Sequence, residues 1–309
     1  MKRYRLVYAG CDFFASVFDS LLARADIDVV LCLTGERHTP HVSNVARLAR
    51  RNKIPVHYGG FTPRLIRRIR SLSADAMLCA SYSYRVPVAD LAIAFNLNLH
   101  PTLLPHGRGP NPIPYLIGEH SRFSGLTIHE MIHGFDQGAI LAQQAVPVRE
   151  NWGYHELALA MCAHAPTVVN QVFDNLEELF ATRRPQEAGS YWPRPSREDR
   201  TVRWTEPAAR IAAKSRRFGA LGVLCLIDGE EQKITHPIAF VEVDHDFDCG
   251  RVILHSSGVA YVAARGGIVR IETGRSSRSG PLPLTNTFWH VRSRAFRALQ
   301  RLTSIARPA

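Results

Sequence analysis

Residues 5–35, RLVYAGCDFFASVFDSLLARADIDVVLCLTG, contain two short apolar runs separated by a stretch with apolar residues at helical spacing. The runs at 5–10 and 28–35 are rich in β-branched and aromatic residues and predict strands, whereas 13–25 predicts a helix. A strand, a helix and a second strand in this order predict a right-handed crossover between parallel strands. The stretch therefore predicts an α/β fold.

The same alternation continues along the first half of the chain. Further strands are predicted at 54–58, 76–83, 95–100, 124–132 and 139–148, and further helices at 42–53, 62–72 and about 153–181. Together these elements predict a Rossmann-like, mostly parallel sheet that is covered by helices on both faces. Sheets of this kind bind ligands near the carboxyl ends of their strands.

The second half of the chain has a different pattern. Residues 183–202 are rich in proline and arginine and predict an exposed linker between a catalytic domain at 1–182 and a C-terminal domain at 203–309. In the C-terminal domain, a helix is predicted with Thr205 as N-cap, Pro207 in its first turn and Gly219 as its end. The strand-like runs that follow predict a small OB-like β-barrel of five or six strands.

Composition indicates the general class of protein. The chain has 309 residues, is 46% hydrophobic and contains no long apolar run or signal-peptide pattern, so we expect a soluble cytoplasmic protein without a membrane segment. Its six cysteines are scattered, with no C-x-x-C pair, and are interpreted as free structural thiols. The net charge is +2 over 1–182 and +9 over 183–309, so the second half is expected either to attract anions or to be a solvated basic surface. The basic tail at 292–309 predicts a final amphipathic helix.

Three common enzyme classes are disfavoured by missing motifs. The first strand ends in YAGCDFF, which lacks the G-x-G-x-x-G spacing of a dinucleotide-binding turn. The chain also lacks the phosphate-binding loop of nucleoside triphosphatases and the G-x-S-x-G elbow of serine hydrolases. An NAD enzyme, a nucleoside triphosphatase and a serine hydrolase are therefore disfavoured.

A polar pair lies at the end of the fifth predicted strand, in NLHPTLLPHGRGPNP (98–112). Residues i and i+2 of a strand share a face, so Asn98 and His100 are expected to project together while Leu97 and Leu99 enter the core. Pro101 cannot continue the ladder, and the glycines and prolines after it are expected to turn the chain over the sheet. The pair is therefore predicted to be held in a fixed position.

An acidic partner for this pair is available in a later loop. Asp136, in HGFDQGAIL, follows the strand predicted at 124–132. A carboxylate beside a histidine fixes its tautomer and stabilises its protonated form, and an amide can donate to a developing oxyanion. A zinc site at His129 and His133 is disfavoured because no third ligand lies at metal spacing, and both are interpreted as ordinary surface or core histidines.

The stretch NLHPTLLPHGRGPNP followed by GFDQGAIL resembles the signature of the formyltransferases that use N10-formyltetrahydrofolate. The similarity extends over most of the chain. The segments SNVARLARRNKIPVH, CASYSYRVP, EDRTVRWTEPAARI and GGIVRIETG each resemble a part of the two-domain members of this family.

The resemblance implies an enzyme and its site. It implies catalytic roles for Asn98, His100 and Asp136, with N10-formyltetrahydrofolate as co-substrate and no metal. It also implies that backbone from two segments forms the walls of the pterin pocket. The residues of these walls are Ser81, Tyr82, Ser83, Tyr84, Arg85 and Val86, and Ile132, His133, Gly134 and Phe135.

Two positions depart from the usual family pattern. Ala139 stands where members that act on tRNA have a second aspartate, as it does in some sugar-modifying members. His106 stands where an aromatic or basic residue is more usual, and we expect it to affect the amine site or, more simply, the loop surface.

The class of acceptor amine is predicted from an insertion that this sequence lacks. Members that act on methionyl-tRNA carry a long basic insertion after the second strand, whereas this chain passes almost directly into a helix, with Arg37 the only Lys or Arg between Gly35 and Ala46. We therefore expect a small-molecule amine, either a nucleotide-linked amino sugar or a hydroxyornithine-type amine. The alternatives are initiator methionyl-tRNA, which would suit the basic second half, a catalytically inactive folate-binding protein, and a hydrolase that releases formate.

Overall fold

The computed structural model describes residues 2–37 and 42–273, and the chain divides into two compact units. The first unit runs to Asn151 and resumes at Glu156–Arg194. The second contains Trp152–His155 and the chain from Pro195 onward. Residues 183–194, which lie in the predicted linker, therefore belong to the first unit, and the helix predicted at 292–309 lies outside the described residues.

The first unit is built on one seven-stranded sheet. Its strands are β1 (Tyr4–Gly10), β2 (Ile27–Thr34), β3 (Val56–Tyr58), β4 (Ala76–Ala80), β5 (Phe95–His100), β6 (Gly125–Glu130) and β7 (Ile140–Ala145). They are arranged in the order β3-β2-β1-β4-β5-β6-β7. The first five strands are parallel, and β6 pairs antiparallel with both β5 and β7. The predicted mostly parallel sheet is confirmed.

Helices connect these strands. They are α1 (Ala15–Leu22), α2 (Ser43–Arg51), α3 (Pro63–Ser71), α4 (Val88–Leu91), α5 (Ile113–Leu116), α6 (Tyr154–Asp174) and α7 (Leu176–Ala181). Thr62 caps α3 by accepting a hydrogen bond from the Leu65 N–H, and Pro63 occupies the first turn. The single helix predicted at 153–181 is divided, because Asn175 has non-helical backbone angles.

The core of the first unit follows from the strand pattern. Every residue of β4 is buried, as expected for a strand in the middle of a sheet that is covered on both faces. In β5, Leu97 and Leu99 are buried in the core while Asn98 projects to the other face. The predicted alternation is confirmed, and it fixes the face of the sheet on which Asn98 lies.

The loop after β5 is held against β6 by one hydroxyl group. Thr127 Oγ1 donates to the Thr102 carbonyl at 2.6 Å and accepts from the Leu104 N–H at 3.2 Å. Gly109 in this loop has φ +122°, and a Cβ there would lie 2.2 Å from the Trp192 carbonyl oxygen. Only glycine satisfies both the backbone angle and the close approach. The predicted fixed turn is confirmed.

The second unit is mostly antiparallel β-structure. Its helices are α8 (Arg197–Arg200) and α9 (Ala208–Phe218), and its strands are β8 (Val223–Ile227), β9 (Glu230–Ile234), β10 (Ala239–Glu242), β11 (Val252–Ser256), β12 (Val259–Ala264) and β13 (Gly267–Glu272). The strands form a four-stranded sheet in the order β10-β13-β12-β11 and a separate β8-β9 hairpin. Side chains from both, including Val223 and Val262, share one core with Ile211 of α9. This architecture agrees with the predicted OB-like class.

One predicted helix boundary in the second unit is wrong. Thr205 is not the N-cap of α9, because the helix begins at Ala208 and the capping position is Pro207, which has extended backbone angles and makes no side-chain cap. The predicted end is confirmed, since Gly219 follows Phe218 with φ +37°. None of the six cysteines forms a disulfide. Among the described helices, none is long and apolar enough to cross a membrane.

Candidate active site

Strand pairing brings a second histidine next to the predicted asparagine. Asn98 of β5 lies directly opposite His129 of β6 in the antiparallel register. The Asn98 Nδ2 atom is 3.0 Å from His129 Nε2, and His129 Nδ1 is 2.8 Å from the Glu130 carbonyl oxygen. A carbonyl can only accept, so His129 Nδ1 donates and Nε2 accepts from the Asn98 amide. His129 thereby orients the side chain of Asn98.

Asp136 joins this cluster from the loop between β6 and β7. One carboxylate oxygen, Oδ1, accepts from Asn98 Nδ2 at 3.3 Å and lies 3.6 Å from both His100 Nδ1 and His129 Nε2. The other, Oδ2, accepts from the Gly109 N–H at 2.9 Å. The structure therefore brings together Asn98, His100 and Asp136, the three residues for which the sequence predicted catalytic roles.

The environment of Asp136 keeps it ionised. Burial acts to raise the pKa of this carboxyl, but the nearby imidazoles of His100 and His129, in their protonated forms, and the Gly109 N–H lower it more. The pKa of Asp136 is therefore held well below its usual range. At neutral pH the carboxylate carries a full negative charge beside His100.

His100 is buried and has a defined tautomer. Its Nε2 lies 2.9 Å from the Gly107 carbonyl oxygen, to which it donates, so Nδ1 carries the lone pair and faces Asp136. Burial lowers the pKa of His100, and the neighbouring Asp136 opposes that shift without reversing it. His100 is thus poised as a neutral base whose conjugate acid is stabilised by a carboxylate.

The two predicted pterin-binding segments meet beside this cluster. The Arg85 guanidinium lies 2.8 Å from His133 Nδ1, donates to the His133 carbonyl at 3.1 Å and lies 5.3 Å from the centre of the Phe135 ring. Ile132 and Phe135 are exposed, and they give this wall an apolar surface. The segments Ser81–Val86 and Ile132–Phe135 are therefore adjacent in the fold.

Side chains within the first wall differ in direction. Tyr82 and Val86 pack against the core of the sheet, and Tyr82 donates its hydroxyl hydrogen to the Gly59 carbonyl at 2.5 Å. The exposed side chains of this wall are therefore Ser81, Ser83 and Arg85, whereas Tyr82, Tyr84 and Val86 are partly buried.

The other histidines singled out in the sequence differ in their burial and in their contacts. His133 is exposed and bonded to Arg85, so it does not share a site with the buried His129, and within 2–37 and 42–273 no group of three His, Cys, Asp or Glu residues is arranged to hold a metal ion. His106 stacks on Phe123 with ring centres 4.1 Å apart. His129 is the member of the cluster that the sequence did not reveal, because only the β5–β6 register places it opposite Asn98.

The glycine of the Asp-x-Gly motif has a steric explanation. A Cβ at Gly138 would lie 1.9 Å from the Glu130 carbonyl oxygen, closer than any real contact. We expect Gly138→Ala to lower the free energy of unfolding by about 1–3 kcal/mol, because the loop must shift away from β6. Chemical denaturation measures this change, with the neighbouring exposed Gln137→Ala as a control that should stay within about 0.5 kcal/mol of wild type. Equal stability of the two variants would contradict the steric account.

Comparisons with known proteins relate the chain to formyltransferases. Residues 22–171 match the family described as Formyl transferase. The methionyl-tRNA formyltransferase of Thiobacillus denitrificans is 28% identical over 274 residues, which cover 85% of this chain and 89% of that protein. The same enzyme of Syntrophomonas wolfei is 31% identical over 179 residues, covering 56% of this chain and 57% of that protein.

Solved structures show the same fold. HypX from Aquifex aeolicus in complex with tetrahydrofolic acid superposes with a TM-score of 0.65 at 18% identity, and covers 87% of this chain and 44% of that one. This chain thus corresponds to less than half of HypX. A 4-N formyltransferase from Francisella tularensis has a TM-score of 0.59 at 16% identity, and covers 75% of this chain and 97% of that one. The chain contains a formyl transferase domain at residues 22–171, its similarity to methionyl-tRNA formyltransferase extends over most of its length, and it is an enzyme of the formyltransferase type.

Proposed function

We propose that this enzyme transfers the formyl group of N10-formyltetrahydrofolate to the amine of a small molecule, and that Asn98, His100 and Asp136 carry the reaction. The main support for this proposal is the cluster that these three side chains form. An amide, a buried imidazole and an ionised carboxylate lie within hydrogen-bonding or ion-pairing distance of one another. These are the groups that acyl transfer requires.

We propose that the donor binds between the two walls described above. Exposed Ile132 and Phe135 offer apolar surface to a flat heterocycle, and the backbone of Ser81–Val86 offers polar groups beside it. Ser81 has φ +61°, an uncommon conformation for a serine that turns the chain sharply at the end of β4. We therefore assign donor binding to Ser81–Val86 and Ile132–Phe135.

The bound donor supplies an electrophilic formyl carbon to the acceptor amine. As the amine adds to this carbon, the formyl oxygen gains negative charge, which Asn98 stabilises by turning to it the Nδ2 N–H that otherwise reaches Asp136 Oδ1 at 3.3 Å. His100 accepts the proton of the amine at Nδ1, directly or through a water molecule, because its Nε2 hydrogen is committed to Gly107. The Asp136 carboxylate then stabilises the imidazolium that forms. As the adduct collapses, the bond between the formyl carbon and N10 breaks, N10 takes the proton back from His100, and tetrahydrofolate leaves.

This assignment predicts a pH dependence. His100 must be neutral to accept the proton, and burial lowers its pKa, whereas the two titratable groups that face it act in opposite directions, Asp136 raising and His129 lowering it. We expect kcat/KM to be constant near neutral pH and to fall as the pH drops through a value below about 6.5, the ordinary histidine pKa. Initial rates between pH 5 and 8 measure this profile. An acidic midpoint above 7 would contradict the assignment.

The proposed acceptor is a nucleotide-linked amino sugar or a hydroxyornithine-type amine. Strand β2 ends at Thr34 and α2 begins at Ser43, so the chain has no room there for a long tRNA-binding insertion. Ala139 likewise departs from the tRNA-type motif. Formyltransferases of amino sugars are among the proteins of similar fold, which is compatible with this acceptor class.

Methionyl-tRNA is the second candidate acceptor. It is favoured by the names of the relatives at 28–31% identity and by the net charge of +9 over 183–309. Phosphate contacts make such binding strongly dependent on salt. A small amine that carries few phosphates would depend on salt much less.

The experiment compares acceptors directly. The protein is incubated with N10-formyltetrahydrofolate and, in separate reactions, with a nucleotide-linked amino sugar, N-hydroxyornithine, charged initiator tRNA or no acceptor. We expect a formylated small amine, detected by mass spectrometry. Formylation of the tRNA alone would replace our acceptor with the second candidate. Formate release without any acceptor would indicate a hydrolase, and ligand binding without turnover an inactive folate-binding protein.

A further inference from the structure

The segment Arg183–Trp192, which we call the strap, contacts both loops that build the catalytic cluster. Its backbone pairs with the loop after β5: Arg108 N donates to the Ser190 carbonyl at 3.0 Å, and Trp192 N donates to the Arg108 carbonyl at 2.7 Å. Ser190 Oγ also accepts from the Gly107 N–H at 3.0 Å. The strap therefore supports Gly107, whose carbonyl accepts the His100 hydrogen bond.

Gln186 of the strap binds the second loop. Its Nε2 donates to the Asp136 carbonyl at 2.9 Å and to the Gly138 carbonyl at 2.7 Å. Asp136 has φ +54°, a left-handed conformation that is unfavourable for most residues other than glycine. The two hydrogen bonds from Gln186 hold this conformation, which directs the Asp136 carboxylate toward His100.

The same side chain also reaches back to the first loop. Gln186 Oε1 accepts from Arg108 Nε at 2.9 Å. An amide has two N–H donors and one oxygen, and here both donors meet carbonyls while the oxygen meets a guanidinium. The orientation of the amide is thus determined by its partners. One side chain links the loop of Gly107 and Gly109 to the loop of Asp136.

We propose that Gln186 is a positioning residue of the active site, which acts through Asp136 and Arg108 without touching the substrates. This proposal rests on the proposed function, because positioning Asp136 matters for catalysis only if Asp136 and His100 take part in the reaction. Among the hydrogen bonds of the described residues, Gln186 is the strap residue that donates to both the Asp136 and the Gly138 carbonyl. Loss of these two bonds is therefore predicted to let the Asp136 loop relax away from His100.

The test uses the full-length protein with Gln186→Ala and Gln186→Glu. The glutamate keeps an oxygen for Arg108 but loses both N–H donors, so it isolates the bonds to the Asp136 loop. Gln144→Ala is the matched control, since Gln144 lies on β7 and donates to His164 outside the cluster. We expect both Gln186 variants to lose about 10²-fold in kcat, the typical result of misplacing a catalytic group by about 1 Å. The control should match wild type.

A second measurement does not depend on turnover. Nuclear magnetic resonance follows the titration of His100 in labelled protein, with His100→Gln used to assign its signal. Asp136 and His129 are the titratable groups that face His100, and of these Asp136 stabilises the protonated form. We therefore expect the His100 pKa to fall further in Gln186→Ala, which adds no charge, and to move by a different amount in Gln186→Glu, whose new carboxylate opposes the fall. A merely structural role would lower Tm and leave this titration unchanged in the folded protein.

The outcomes separate the two proposals. A wild-type protein that forms no formylated product, with a His100 titration that moves in both variants, would reject the proposed function and keep the positioning role. An active wild type with Gln186→Glu equal to it in kcat and in His100 titration would reject the positioning role and keep the function. A moved titration together with reduced kcat supports both.

Discussion

Asp136→Asn is expected to reduce kcat by about 10³–10⁴-fold, the range seen when a carboxylate that orients a catalytic histidine is replaced by its amide. The substitution keeps the size of the side chain but removes the charge that lies 3.6 Å from His100 Nδ1. An asparagine can also present an N–H to this atom, which would occupy the lone pair that accepts the proton. Steady-state rates with saturating donor and acceptor measure the loss.

The matched control for this variant is Asp90→Asn, an exposed aspartate at the end of α4. It should retain wild-type kcat. Binding of tetrahydrofolate to Asp136→Asn, measured by calorimetry, should stay close to that of wild type, because the donor walls are intact. A variant that loses donor affinity but keeps kcat at saturation would make Asp136 a binding residue rather than a catalytic one.

Asn98→Ala is expected to reduce kcat by about 10²–10³-fold, the typical cost of removing one donor to a developing oxyanion. The loss should fall on kcat more than on KM for the donor, since the charge on the formyl oxygen develops only in the transition state. The exposed Asn44→Ala on α2 is the control. Equal kcat in Asn98→Ala and wild type would exclude the oxyanion role.

His129 illustrates what the sequence could not provide. The alternation of β6 indicates that residues 125, 127 and 129 share a face, but the partner strand and the register depend on the loop between β5 and β6, whose length carries no register information. A shift of one residue would turn His129 to the opposite face. In contrast, Asn98, His100 and Asp136 could be selected because their motif has a recognisable chemistry.

The strap is a second feature that could not be predicted from the sequence. Its proline, arginines and small residues are typical of a solvated linker, and composition does not reveal backbone partners. In the fold, Gly189 lies so close to the Pro105 carbonyl that a Cβ would be 2.0 Å from that oxygen, so a residue that looks like a flexible spacer is a close packing contact. By comparison, the parallel strands and amphipathic helices of the first unit were predictable, because burial on one or both faces leaves a periodic signal.

The strap also covers the start of an edge strand of the seven-stranded sheet. Ile140, at the start of the outermost strand β7, exchanges two backbone hydrogen bonds with Arg184, at 2.7 and 2.9 Å. At the opposite edge, β3 has only three residues, which leaves little backbone for another chain to pair with. A chain shortened at residue 182 would uncover the peptide groups of Ile140 and would be prone to strand pairing between molecules. We therefore expect resistance to aggregation and the proposed catalytic geometry to depend on the same segment, the strap.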